Sequence, residues 1–157
     1  MRPARAGNTR SGPTRALERV RCGVNRPRTG TPYDLVMQPL AGIRVVEAGQ
    51  MISAPMAGVI MAEQGAEVIK VELADGVGDR LRQLGTSRNS ISSLFNSVNR
   101  GKQSVTLDTK HPDGLQALLD LCATADVFLQ NFRPGAAERM GVGEAQVRAI
   151  NPDIVYV

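Results

Sequence analysis

The residues best equipped for chemistry stand together at Gln130-Asn131-Phe132-Arg133-Pro134-Gly135, directly behind the apolar run Ala125-Asp126-Val127-Phe128-Leu129. Arg133 supplies a permanent cation, Asn131 a group that both donates and accepts hydrogen bonds, and Pro134-Gly135 a stiff turn into the next element. Open α/β sheets bind ligands just past the carboxyl ends of their strands, so a strand running out into such residues reads as one that ends in a ligand-facing loop. The turn Gly49-Gln50-Met51-Ile52-Ser53-Ala54-Pro55 is a second candidate. Backbone amides at a helix start, with Ser53 as a cap, could hold an anionic or polar group there, although ordinary helix capping explains the same residues. No Walker-type phosphate loop is present, and Gly76-Val77-Gly78-Asp79-Arg80-Leu81 begins like a dinucleotide fingerprint but ends in Leu, so it reads as a flexible loop. His111 is the single histidine, which excludes a His-based triad or a multi-His metal site within this chain. Cys22 and Cys122 follow no metal or redox spacing and read as reduced thiols; no metal is expected.

The elements that must position these residues alternate between strand and helix. Ile43–Ala48 is a β-branched run bounded by Gly42 and Gly49, hence a strand. Pro55 suits the first turn of a helix running to about Gln64 and stopping at Gly65. Ala66–Glu72 reads as a second strand, followed by a long polar stretch from Asp75 to about Ser90 and a short helical piece near Ile91–Phe95. Ser104–Asp108 is a third strand. Pro112–Thr124 is a helix with Leu115, Leu118, Leu119 and Cys122 on one face. Asp126–Leu129 is a strand, one helical stretch follows to about Ile150, and Asp153–Val157 is a last strand. This pattern predicts an α/β fold with a Rossmann-like, mostly parallel sheet and helices on both faces.

Composition narrows the function classes. The chain has 157 residues, or about one domain's worth. Aromatics make up 3% and Trp is absent, which argues against a stacking-based binder of RNA or single strands. The longest uncharged apolar stretch, Met51–Ala62, is too short to span a membrane. Charge is uneven: residues 1–36 hold eight Arg against Glu18 and Asp34, a net of +6, and residues 37–157 hold eleven basic against thirteen acidic residues, a net of −2. The basic segment is broken by Pro3, Pro13, Pro27 and Pro32 and reads as a disordered leader. Because Met37 opens a fresh segment before the first strand, residues 1–36 read as upstream sequence and not part of the native protein. A transit peptide or a nucleic-acid-binding tail are the alternatives. No secretory signal is visible, so a cytoplasmic protein is expected.

Four blocks in unbroken order carry a resemblance: Leu40–Glu47, Gly65–Glu72, Asn99–Asp108 and Asn131–Gly135. Together they resemble the family III CoA-transferases of the CaiB/BaiF type, the formyl-CoA transferase and carnitine CoA-transferase group, over roughly residues 39–157. The α-methylacyl-CoA racemases of the same superfamily typically carry Gly-Tyr where this chain has Asn131-Phe132, and their Arg-Gly-Lys block is more degraded. The resemblance therefore points to a transferase, with a racemase-like member or a non-catalytic CoA- or nucleotide-binding module as alternatives.

The resemblance implies that residues 37–157 are the N-terminal, truncated part of a larger family III fold. It places CoA contacts on Gln50, Met51, Ile52 and Ser53, on Leu107 and Lys110, and on Asn131, Phe132, Arg133 and Arg139. Lys110, Arg133 and Arg139 would neutralise phosphates, and Phe132 offers an apolar face. Leu73 stands where some relatives have an arginine. Glu72 and Asp108 read as structural groups at strand ends. The implied substrates are an acyl-CoA and a carboxylic acid, with no prosthetic group, no nucleic acid, no membrane, and a homodimer of interlocked rings for the full-length protein. The implied mechanism uses an aspartate that attacks the thioester, passing through an acyl anhydride and an aspartyl-CoA thioester. None of the aspartates present occupies that motif, so residues 1–157 alone are expected to lack transferase activity and to leave apolar surface uncovered.

Overall fold

A computed structural model describes residues 38–88 and 91–157, with Arg88 as backbone only; the expected leader, residues 1–36, lies outside the described residues. The main sheet contains β1 (Arg44–Glu47), β2 (Glu67–Leu73), β5 (Gln103–Leu107), β6 (Val127–Leu129) and β7 (Val155–Tyr156). Their order is β5-β2-β1-β6-β7, and every pair is parallel. The chain winds outward from β1 through β2 to β5, then returns to the other side of β1 for β6 and β7. The strand order thus reverses between β1 and β6, the place where such sheets open a crevice at their carboxyl ends.

Both faces of the central strands β1, β2 and β6 are covered, as their two-sided apolar character requires, while the edge strands β5 and β7 are partly exposed. Neighbouring residues of β1 point to opposite faces. Val45 packs with Ala54, Val68 and Leu129 beneath α1 (Ser53–Glu63). Val46 packs with Leu118, Cys122, Phe128, Val147 and Ile154 beneath α3 (Pro112–Ala123) and α5 (Glu144–Ile150). The amphipathic face expected on α3 is its packing face, with Leu118 and Cys122 fully buried and Leu115 and Leu119 partly buried. The single histidine is a helix cap: His111 Nδ1 accepts the Asp113 amide at 3.3 Å, ahead of Pro112 in the first turn.

Two expectations are corrected. The single helical stretch after the Asn131 loop is two helices, α4 (Ala136–Arg139) and α5. Gly141, at φ +80°, ends the first of them, and the following Val142 turns inward to full burial, so a continuous helix would pull that side chain out of the core. The polar stretch after β2 is more ordered than a loop. A 3₁₀ turn (Arg80–Gln83), a two-stranded ribbon of β3 (Ser87–Arg88) and β4 (Ile91–Ser92), and α2 (Ser93–Ser97) fold over a small cluster of Leu81, Phe95 and Val98.

Candidate functional site

Asn131 is the side chain that closes the crevice between β1 and β6. Its Oδ1 accepts the Gln50 amide at 2.9 Å, while its Nδ2 donates to the Gln50 carbonyl at 2.8 Å and to Ser53 Oγ at 2.9 Å. The loop after β6 is thereby clasped to the turn after β1. Ser53 is not the helix cap expected of it: Ile52 occupies that position, no side chain caps the helix, and the Ser53 hydroxyl serves Asn131 instead. Gly49 is required by the closeness of the clasp, since a Cβ there would lie 2.3 Å from Ala54 Cβ and 3.0 Å from Asn131 Oδ1.

Beside this clasp, past the carboxyl ends of β1, β2 and β5, lies a cavity of about 610 Å³. Ala48 just after β1, Val71 and Leu73 from β2, Leu115 and Leu118 from α3, and Phe132 and Met140 form its apolar walls. Gln50, Thr109, Lys110, Glu138 and Arg139 supply its polar groups. A largely apolar slot that carries two cations, Lys110 and Arg139, against the one carboxylate of Glu138 suits a ligand that combines an apolar or aromatic body with anionic groups.

The structure gathers Gln50, Lys110, Phe132 and Arg139 around one cavity and places Asn131 and Ser53 in the clasp beside it. Met51 and Ile52 project outward from the turn, 38% and 57% exposed. Leu107 is buried in the core, and its carbonyl accepts the Ala74 amide. Arg133 is exposed and does not line the cavity. Asp108 takes the end-of-strand role expected of it, its carboxylate accepting the Lys110 amide at 3.1 Å.

Sequence reasoning missed a buried charge network under the turn. Lys70 Nζ sits 3.0 Å from Glu47 Oε1 and 2.8 Å from Asp79 Oδ2, and donates to the Gly49 carbonyl at 3.0 Å. Lys102 Nζ sits 2.6 Å from Glu47 Oε2 and donates to the carbonyls of Pro55 and Val98 and to Asn99 Oδ1. The Lys70 contact with Asp79 Oδ2 and the Lys102 contact with Glu47 Oε2 are ion pairs without aligned hydrogen-bond geometry. All four side chains are at most 2% exposed. Burial pulls Lys102 down from its ordinary 10.5 to about 8, and Glu47 opposes that fall. A Cβ at Gly58 of α1 would lie 2.1 Å from Glu47 Oε2, so the helix needs glycine where it crosses the network. The sequence carried no signal for it, because the parallel register that sets Glu47 beside Lys70 on one face of neighbouring strands is fixed only by the fold.

Glu72 anchors the outer part of this region. Burial alone would raise its pKa, but bonds from Arg82 (2.6 and 2.7 Å), Ser104 Oγ (2.6 Å) and the Asp79 amide (3.1 Å) outweigh it and hold the carboxyl at about 2, below the ordinary 4.5. A folded pKa below the unfolded one means a contribution fully present above about pH 4.5 and lost as pH falls from there towards 2. Arg82 is 32% exposed, which screens part of the effect, so roughly 2 kcal/mol is expected. Denaturant titrations across that window should show the loss in wild type and a flatter profile in Glu72→Gln. Parallel profiles would remove Glu72 as the source.

Residues 40–157 match the profile of CoA-transferase family III. The chain is similar to the beta subunit of succinyl-CoA–L-malate CoA-transferase from Chloroflexus aurantiacus, at 43% identity over 120 residues, covering 76% of this chain and 29% of that one. It also resembles the crystal structure of an aspartate-to-alanine mutant of a Mycobacterium tuberculosis protein, with a TM-score of 0.69 and 41% identity over 75% of this chain and 32% of that one. A CaiB/BaiF family protein from Brucella suis gives a TM-score of 0.70 at 34% identity, with 75% and 32% covered. The chain spans less than a third of the length of each of these relatives.

Proposed function

The chain belongs to CoA-transferase family III, and from that premise we propose that residues 38–157 hold coenzyme A in an enzyme that moves CoA from an acyl-CoA to a carboxylic acid. The observation that carries this reading is the cavity at the strand ends. Its walls are apolar, Phe132 offers an aromatic edge or face, and Lys110 and Arg139 bring positive charge to the same slot. Coenzyme A combines those chemistries in one molecule, with phosphates for the cations and adenine and pantetheine for the walls. Gln50 presents an amide from the clasped turn.

The reaction proposed is stepwise nucleophilic catalysis through covalent aspartyl intermediates. An aspartate oxygen attacks the thioester carbonyl, the carbon–sulfur bond breaks, and CoA leaves as thiolate with an acyl anhydride behind it. The thiolate then attacks the aspartyl carbonyl, releasing the donor acid and forming aspartyl-CoA, and the acceptor carboxylate reverses the sequence. Among the described residues no aspartate lines the cavity, and Asp79 is committed to Lys70 and two backbone amides. In keeping with the family resemblance, we propose that the nucleophile lies beyond β7. Among the described residues no helix is long and apolar enough to cross a membrane. A cytoplasmic homodimer is the proposed form of the whole enzyme.

Calorimetric titration of the 157-residue chain with CoA, ATP and NAD tests the binding part. Preference for CoA is expected, equal affinity for all three would favour a general nucleotide-binding module, and absence of CoA binding would overturn the proposal. An assay for CoA exchange between carboxylic acids should find no turnover by this chain. Detectable exchange would refute the placement of the nucleophile.

A further inference from the structure

The loop Gly76–Arg80, which imitates a phosphate-binding fingerprint, is closed to phosphate by its own carboxylates. Asp75 Oδ1 accepts the amides of Val77 at 2.9 Å and Gly78 at 2.8 Å, and Glu72 Oε2 accepts the Asp79 amide at 3.1 Å. What the loop delivers instead is the Asp79 side chain, turned inward to full burial. Asp79 Oδ1 accepts the amides of Met51 at 3.2 Å and Leu81 at 3.0 Å, while Oδ2 pairs with Lys70. Lys70 in turn donates to the carbonyl of Gly49. One buried ion pair therefore grips both sides of Gln50, through the carbonyl before it and the amide after it. Met51 is the one described non-glycine residue at positive φ, +67°, a conformation that L side chains rarely adopt without outside support.

We propose that Asp79 and Lys70 are positioning residues that hold the β1–α1 turn in its left-handed form, so that Gln50 faces the cavity while neither of them touches the ligand. The clasp from Asn131 fixes the turn on one side, and the buried pair fixes it from beneath. This inference rests on the CoA reading only for its affinity measurement. Its other measurement needs no ligand.

Amide hydrogen exchange followed by NMR on the ligand-free 157-residue chain is the direct test. The Met51 amide should be protected although its side chain is exposed, and Asp79→Ala should speed its exchange at least about tenfold, with the central-strand amide of Val46 unchanged. Asp79→Ala should also weaken CoA binding by about tenfold. Adding Met51→Gly should recover part of that affinity, because glycine adopts positive φ without support. A global loss of structure would not be rescued by a change in one turn. Unaltered Met51 exchange in Asp79→Ala, or no recovery from Met51→Gly, overturns the proposal. Should Asp79→Ala fail to fold, the wild-type chain decides alone, since a Met51 amide exchanging at the free-peptide rate is incompatible with it. If wild type does not bind CoA, the CoA reading falls while the exchange measurement still decides this one.

Discussion

Replacing Glu47 by alanine is expected to cost about 3–5 kcal/mol of stability, because it leaves buried ammonium charge without its carboxylate. Glu47 is fully buried and divides its two oxygens between Lys70 and Lys102. Lys70 would keep Asp79, but Lys102 would keep only neutral acceptors, the carbonyls of Pro55 and Val98 and the Asn99 amide oxygen. Burial already holds Lys102 near 8 with Glu47 working against it, so removing Glu47 pushes it further towards losing its proton. At this chain length such a loss corresponds to a fall in Tm of roughly 6–20 °C. Denaturant midpoints with an unchanged slope would read it as stability and not as a change in compactness. The pair Glu47→Leu with Lys102→Met should recover most of the loss, since a buried pair replaced whole by apolar groups is often neutral. A cost below about 1 kcal/mol for Glu47→Ala would mean that water reaches the network and screens it.

That network also marks where the sequence was hard to read. Short apolar, β-branched runs bounded by glycine or turn residues announce strands, so β1, β2 and β5 were legible within a residue or two, as was the amphipathic α3. Lys70 and Glu72 lie in β2 on the same face as Val68, and all three are buried. Local polarity gives no hint that α1 covers that face or that Gly58 makes room for Glu47. The ribbon β3–β4, with two residues in each strand, is too short to show a period at all. The break between α4 and α5 depends on Val142 finding the core, which is a tertiary fact. At the site itself, residue types pointed to the Asn131-Phe132 loop and the turn at Gln50, and the family resemblance added Lys110 and Arg139. What they could not show is that Asn131 spends its hydrogen bonds on protein, or that Arg133 stands outside the cavity.

Reversing both cations of the cavity, with Lys110→Glu and Arg139→Glu together, is expected to weaken CoA binding by at least about a hundredfold at roughly 0.1 M salt. A charge-assisted bond to phosphate is worth about 1.5–3 kcal/mol, and each 1.4 kcal/mol is tenfold, so losing two such bonds accounts for that factor before repulsion is added. The single alanine variants should each lose about tenfold. Both side chains are exposed, so folding should survive and circular dichroism should be unchanged. Salt separates this from a packing effect. The screening length falls from about 10 Å at 0.1 M to about 3 Å at 1 M, so the penalty of the double reversal should shrink as salt rises. Phe132→Ala, which removes apolar contact and no charge, should weaken binding by an amount that salt hardly changes. Dephospho-CoA, lacking the ribose phosphate, then tells which cation meets that group: the alanine variant of that residue should bind CoA and dephospho-CoA almost equally, while the other variant should lose as much between them as wild type does. If the double reversal binds CoA as wild type does at low salt, the phosphates lie elsewhere and the cavity takes only the uncharged part of the molecule.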